Sequence, residues 1–160
     1  MKLYVLRHAI AEDRAGGPDS QRQLTQDGRR KLRKVIATAR AAGFAPDHIL
    51  VSPYVRAVQT AQIAAEELAF EEPLIETDKL LPYSPPLEIW DELRDFRDSG
   101  QLLIVGHNPQ LSELACTLLG TPGDAIAMKK AALACFELHG MGPQPQASLC
   151  WLLTPRLAGA

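Results

Sequence analysis

Two periods of apolar and polar positions alternate along the chain, and each switch between them marks an element. Lys2 to Leu6 is a short apolar run ended by Arg7-His8. A polar stretch with Gly and Pro from Glu12 to Gln23 follows, so a strand gives way to a surface loop. Thr25 is placed to cap a helix, and Leu32, Val35, Ile36 and Ala39 recur at i, i+3, i+4 and i+7; this predicts a helix from about Gln26 to Ala42, stopped at Gly43. His48 to Val51 reads as a second strand. Ser52-Pro53 then opens a helix, with Ser as N-cap and Pro at the first helical position, along which Tyr54, Val58, Ala61, Ala65 and Leu68 form one apolar stripe. Glu72 to Leu81 suggests a third strand, and Pro85-Pro86 precedes a helix from about Leu87 to Asp98 with Ile89, Trp90, Leu93 and Phe96 turned inward. Gln101 to Val105 is apolar throughout, the pattern of a strand buried on both faces, and after Gly106-His107-Asn108-Pro109 a helix is expected from about Gln110 to Leu119. The last third changes character: Ala131 to Leu138 and Ser148 to Thr154 are β-compatible runs joined by Gly140, Gly142, Pro143 and Pro145, which predicts an antiparallel hairpin.

Alternating strands and helices through residue 120 imply an α/β fold, a three-layer α/β/α sandwich whose mostly parallel central sheet is completed by C-terminal antiparallel strands. No repeat, linker or low-complexity segment divides residues 1–160, so one domain is expected. Sheets of this kind bind ligands beyond the carboxyl ends of their strands. The residues there are Arg7-His8, Ser52-Pro53 with Arg56 one turn on, and Gly106-His107: two arginines and two histidines from distant parts of the sequence.

Charge and cysteine content narrow the function classes. Lys and Arg number 17 against 19 Asp and Glu, a net charge of −2, which disfavours a protein built to grip nucleic acid or an anionic membrane surface. The basic run Arg29-Arg30-Lys31 with Arg33-Lys34 lies opposite the apolar stripe of its helix, where solvated charges are the norm, so no nucleic-acid partner is expected. Cys116, Cys135 and Cys150 each sit in an apolar run and match no metal or redox motif, as core residues in a reducing cytoplasm would. Leu3 to Leu6 is too short for a signal-peptide core, and no run approaches the ~18 apolar residues of a membrane span. The chain is therefore expected to fold from Met1 onward, and no feature demands more than a monomer.

The strand-end constellation suits an oxyanion. Helix N-termini after Ser52 and Asn108 bring unpaired N–H groups and partial positive charge. The forked guanidiniums of Arg7 and Arg56 match phosphate oxygens in pairs. Neither G-x-x-x-x-G-K-[ST] nor G-x-G-x-x-G occurs, and no acidic metal ligands stand at the strand ends, so no metal and no cofactor are expected. Nucleophile candidates are His8, His107 and Ser52. His8 is favoured because a neutral imidazole nitrogen attacks phosphorus without first losing a proton, and nearby Arg7 and Arg56 disfavour its charged form. His107 then stabilises charge on the phosphoryl oxygens.

Leu6-Arg7-His8-Ala9 resembles the R-H-G/A signature of the histidine phosphatase superfamily, which includes the phosphoglycerate mutases. Leu24-Thr25-x-x-Gly28, Ser52-Pro53-x-x-Arg56-Ala57-x-Gln59-Thr60-Ala61 and Gly106-His107-Asn108-Pro109 are similar to its later blocks, in the same order. The short chain is most similar to the small phosphohistidine phosphatases of the SixA type. The resemblance implies a phosphoglycerate mutase-like fold, His8 as the phosphorylated nucleophile, and Arg7, Arg56 and His107 as the phosphate pocket. Arg22, at a position often basic in the family, joins Ser52 and Asn108 as a candidate substrate contact. Superfamily members acting on phosphoesters usually carry an acidic proton donor after the third strand, where this chain has Leu80-Leu81-Pro82-Tyr83-Ser84. An alkoxide leaves poorly without a proton, whereas imidazole, with a conjugate-acid pKa of about 6.5, leaves readily. A phosphohistidine on a protein is therefore the expected substrate. Glu12, Asp13 and Glu76 stand as substitute acids for the rival reading, a phosphatase of small phosphorylated metabolites or polyphosphate. A phosphate- or phosphohistidine-binding module without turnover is the other alternative.

Overall fold

A computed structural model describes residues 1–13 and 16–160. Six strands form one sheet: β1 (Lys2–Arg7), β2 (His48–Val51), β3 (Ile75–Glu76), β4 (Gln101–Gly106), β5 (Leu133–Leu138) and β6 (Ala147–Leu153), in the order β3-β2-β4-β1-β5-β6. β1 to β4 run parallel, β5 pairs antiparallel with β1, and β6 antiparallel with β5. Helices α1 (Gln26–Ala41), α2 (Val55–Leu68), α3 (Pro86–Leu93) and α4 (Gln110–Leu119) supply the outer layers. This is the mixed α/β architecture that the alternation of periods implied.

Side chains point alternately to the two faces of a strand, and that rule divides the core in two. Tyr4, Leu6, Ile49, Val51, Leu103 and Val105 face α1 and α2, meeting Leu32, Val35, Ile36, Ala57 and Ala61. Leu3, Val5, Leu50, Leu102 and Ile104 face α3 and α4, meeting Ile89, Trp90, Leu93, Leu111 and Leu114. Burial on both faces explains why β1 and β4 read as continuous apolar runs.

Three local expectations are corrected. Ser52 does not cap α2: the cap position falls at Tyr54 and the helix begins at Val55, while the Ser52 Oγ lies 2.8 Å from the His107 ring and accepts from the Tyr54 N–H at 3.4 Å. The strand expected over Glu72 to Leu81 shortens to Ile75–Glu76. Thr77 then accepts a hydrogen bond from the Lys79 N–H and turns the chain into a 3-10 turn at Asp78–Leu80, which drops Leu80 into the core. The helix expected to reach Asp98 ends at Leu93 and tightens to a 3-10 turn over Arg94–Phe96, carrying the Phe96 ring to 5.1 Å from that of His48. The basic face of α1 is largely occupied: Arg30 and Lys31 pair with Asp27, Arg33 with Glu66 and Glu67, and Lys34 donates to the Gly159 carbonyl.

α1 approaches the segment after β1 very closely. Thr25 caps it by accepting from the Gly28 N–H at 3.0 Å, and the Thr25 N–H donates to the Ile10 carbonyl at 2.9 Å. A Cβ at Gly28 would run into that carbonyl oxygen and lie 3.0 Å from the Ile10 nitrogen. Both obstacles are backbone and cannot swing aside. Helix propensity alone favours Ala over Gly by about 1 kcal/mol. Gly28→Ala is nevertheless expected to destabilise the protein by about 1–3 kcal/mol, the range for overpacking, read as a lower urea midpoint at unchanged slope. A raised midpoint would contradict the packing described.

Candidate active site

Register brings the two catalytic candidates together. β1 and β4 are parallel neighbours with Arg7 opposite Gly106, so the next residues, His8 and His107, emerge side by side with ring centroids 5.0 Å apart. β2 lies on the other side of β4 and delivers Ser52, whose Oγ is 2.8 Å from His107 Nε2. α2 and α4 open at this same end of the sheet, and the first turn of α2 carries Arg56. Arg56 is 4% exposed, His8 6% and His107 1%, which places a cation and two imidazoles in a largely desolvated pocket.

The protonation pattern of His8 follows from its partners. Nδ1 lies 2.8 Å from the carbonyl oxygen of Ala9, which can only accept, so Nδ1 carries the proton and donates it there. Nε2 is then the lone-pair nitrogen, and the Nε–H of Arg56 donates to it at 3.3 Å. Burial first, then the charges of Arg56, Arg7 and Lys130, push the His8 pKa down to about 3, against the opposing pull of the Ala9 carbonyl. Burial, with the neighbouring His8 and Arg56, drives His107 down as well. Both rings are therefore neutral near pH 7. Among the described residues His107 Nδ1 and Arg7 Nε are buried without partners, as groups meant for an oxyanion would be.

Each arginine is fixed by oxygen atoms. Arg7 donates from Nη1 to the Met128 carbonyl at 2.8 Å. Arg56 donates from Nη1 to the Asp19 carbonyl at 2.7 Å and from Nη2 to the Asp19 carboxylate at 3.0 Å. Arg22 lies one step behind: it donates to the other Asp19 oxygen at 3.1 Å and to the Glu12 carbonyl at 2.6 Å, so it positions Asp19 and touches none of the four central side chains. Asn108 donates to the same Met128 carbonyl as Arg7, and its own buried Oδ1 has no partner among the described residues. Burial alone would raise the Asp19 carboxyl, but Arg22 and Arg56 outweigh it and hold Asp19 below the usual carboxylate range.

The acids considered from sequence lie elsewhere. Glu76 ends the edge strand β3, separated from β1 by β2 and β4, and Glu12 and Asp13 are exposed. None of their side chains bonds to Arg7, His8, Arg56 or His107 among the described residues. Asp19, missed from sequence, is the carboxylate that does. Its one local signal was Arg22 three residues on, the spacing of an ion pair within a helical turn. Thr60 was quoted only as part of a motif, yet it accepts from the Ala9 N–H at 3.1 Å and donates to the Arg56 carbonyl at 2.7 Å, tying α2 to the residue that orients His8. Gln59 does the same for Leu24, accepting its N–H at 2.8 Å. Among the described residues no group of three or more His, Cys, Asp and Glu side chains is arranged to hold a metal.

Comparison with known proteins places this geometry in a family. The model of the histidine phosphatase superfamily (branch 1) matches residues 3–81. An uncharacterized protein of Picosynechococcus is 36% identical over 140 residues, 83% of this chain and 82% of that protein. A phosphohistidine phosphatase SixA homolog of Haemophilus influenzae is 31% identical over 131 residues, covering 75% of this chain and 78% of that one. The structure of the protein histidine phosphatase SixA complexed with tungstate superposes with a TM-score of 0.88 at 23% identity, over 98% of both chains. With the R-H dyad, the second histidine and the α2 arginine gathered at the carboxyl ends of the central strands, the chain belongs to the histidine phosphatase superfamily, among its SixA-like phosphatases.

Proposed function

We propose that the protein hydrolyses phosphohistidine on another protein through a covalent phospho-His8 intermediate, in a reducing cytoplasm. The phosphoryl group approaches His8 Nε2, taking the place of the Arg56 Nε–H contact, while Arg7, Arg56 and His107 Nδ1 receive its oxygens. A P–N bond forms to His8 as the P–N bond to the substrate ring breaks; that ring already carries a proton on its other nitrogen, so it departs as neutral imidazole. A second water then attacks phosphorus, His8 Nε2 leaves with its electron pair restored, and inorganic phosphate departs. Ser52 holds His107, while Asn108 and Arg22 act through the Met128 carbonyl and Asp19.

The state of Asp19 carries this reading. It is the one carboxyl group bonded to the pocket among the described residues, and two guanidiniums keep it ionised. The pocket thus holds a neutral nucleophile without a proton donor for an alkoxide. Such a site serves a leaving group that is itself a weak base. The Haemophilus influenzae relative, named as a phosphohistidine phosphatase homolog, supports the same substrate class.

Two outcomes are expected. On a panel of phosphohistidine proteins and small phosphoesters, turnover is concentrated on the P–N substrates, and His8→Ala lowers it by at least about 10³-fold while circular dichroism and the thermal midpoint stay near wild type. Faster hydrolysis of phosphoesters than of phosphohistidine, or an active His8→Ala, would overturn the proposal. Second, imidazole NMR of the free protein shows His8 and His107 neutral at pH 5.5, with His8 in the Nδ1–H form. The sign for stability follows. Unfolded histidines take up protons below about pH 6.5, whereas native His8 resists until about 3. The unfolded state therefore binds more protons in that window, and stability falls as pH drops through it. A His8 titrating near its ordinary value would contradict the geometry.

A further inference from the structure

Arg7 has a second role in the shape of the surface. It forms one wall of an open cavity of about 650 Å³ whose lining includes four more cations, Lys31, Lys129, Lys130 and Arg156. They come from three parts of the chain: α1, the segment before β5, and the turn after β6. Lys31 is engaged by Asp27 at 2.7 Å, and Ala160 also lines the cavity. Lys129, Lys130 and Arg156 are exposed and enter no ion pair among the described residues. Their positive charge is thus available to a partner.

The backbone holds two of these lysines against the site at a cost. Ala131 adopts φ +59°, a left-handed conformation that is strained for a residue with a Cβ. It is 1% exposed, and its N–H is shared between the carbonyl oxygens of Arg7 at 3.1 Å and His8 at 3.2 Å. The Ala132 N–H closes the turn onto the Lys129 carbonyl at 2.9 Å. Met128, Lys129 and Lys130 are thereby wrapped over the end of β1. The Met128 carbonyl serves Arg7 and Asn108, while Lys129 and Lys130 line the cavity.

We propose that this cavity docks carboxylates of the phosphorylated protein, so that the substrate's phosphohistidine is flanked by acidic residues. The inference rests on the phosphohistidine reading and names the surface that such a substrate presents. Several unpaired, exposed cations contributed by separate segments suit a spread of Asp and Glu on a protein face, and they act chiefly through encounter and orientation. A compact anion would be met by groups converging on one point, as they do at His8.

The test uses the full chain and two synthetic phosphohistidine peptides, one flanked by Asp and Glu, the other by Asn and Gln. At low salt kcat/KM for the acidic peptide is expected to exceed that for the neutral one about tenfold, and the advantage shrinks as salt rises. Lys129→Glu with Arg156→Glu removes it through KM, leaving kcat and the neutral peptide unchanged. The milder Lys129→Gln with Arg156→Gln reduces it should the reversal impair folding. Equal kcat/KM on both peptides, or an advantage intact in both variants, would overturn the groove and leave the phosphohistidine reading standing. Hydrolysis of neither peptide would overturn that reading itself, and the groove with it. A single-stranded RNA oligonucleotide that inhibits more tightly than an unphosphorylated acidic peptide of equal charge would also overturn the assignment, by making the groove a phosphate-backbone site.

Discussion

The hydrogen bond from His8 Nδ1 to the carbonyl of Ala9 is the constraint on which the site depends. A neutral imidazole has one donor nitrogen and one acceptor, and a backbone carbonyl as partner decides which is which. With Nδ1 committed, Nε2 keeps its lone pair and faces Arg56. The rest of the local structure keeps that bond in place. Thr60 holds the Ala9 N–H, the parallel pairing of β1 with β4 fixes the His8 N–H on the Gly106 carbonyl at 3.0 Å, and Ala131 takes the His8 carbonyl. A side chain with this many anchors needs little reorganisation when a phosphoryl group arrives.

Electrostatics complete the arrangement by separating two charges that would otherwise cancel. Asp19 neutralises part of Arg56, yet it does so from the guanidinium edge opposite His8, so it orients the cation without offering its own proton. The chain as a whole carries a net charge of −2, while the charges of Arg56, Arg7 and Lys130 all act on His8 at the end of β1. Local field and whole-chain charge have opposite signs here, and the local field acts on the substrate.

What could be read from sequence and what could not divide along physical lines. Strands buried on both faces and the helices between them announce themselves through periodicity, which is why β1, β4 and α1 fall close to their expected bounds. Arg7, His8, Arg56 and His107 were visible because they follow strand ends, and the parallel register then brings the two histidines together. Ser52 misled because Ser-Pro is a common helix opening, and whether the hydroxyl caps or bonds a distant ring is decided by tertiary contact. Glu72 to Leu81 misled because Leu80 is apolar for a core reached through a turn. The Met128 carbonyl and the Ala131 N–H left no trace, since backbone groups act there whatever the side chain. Asp19 sat in a polar loop where acids are ordinary.

The central claim is that His8 carries the phosphoryl group between substrate and water. Rapid acid and base quenching of a single turnover on a radiolabelled phosphohistidine protein tests it directly. The account predicts protein-bound label on this chain that rises before free phosphate appears, survives base, is lost in acid, and maps to His8. Free phosphate formed from the first time point with no label on the chain, or label mapped to His107, would contradict it.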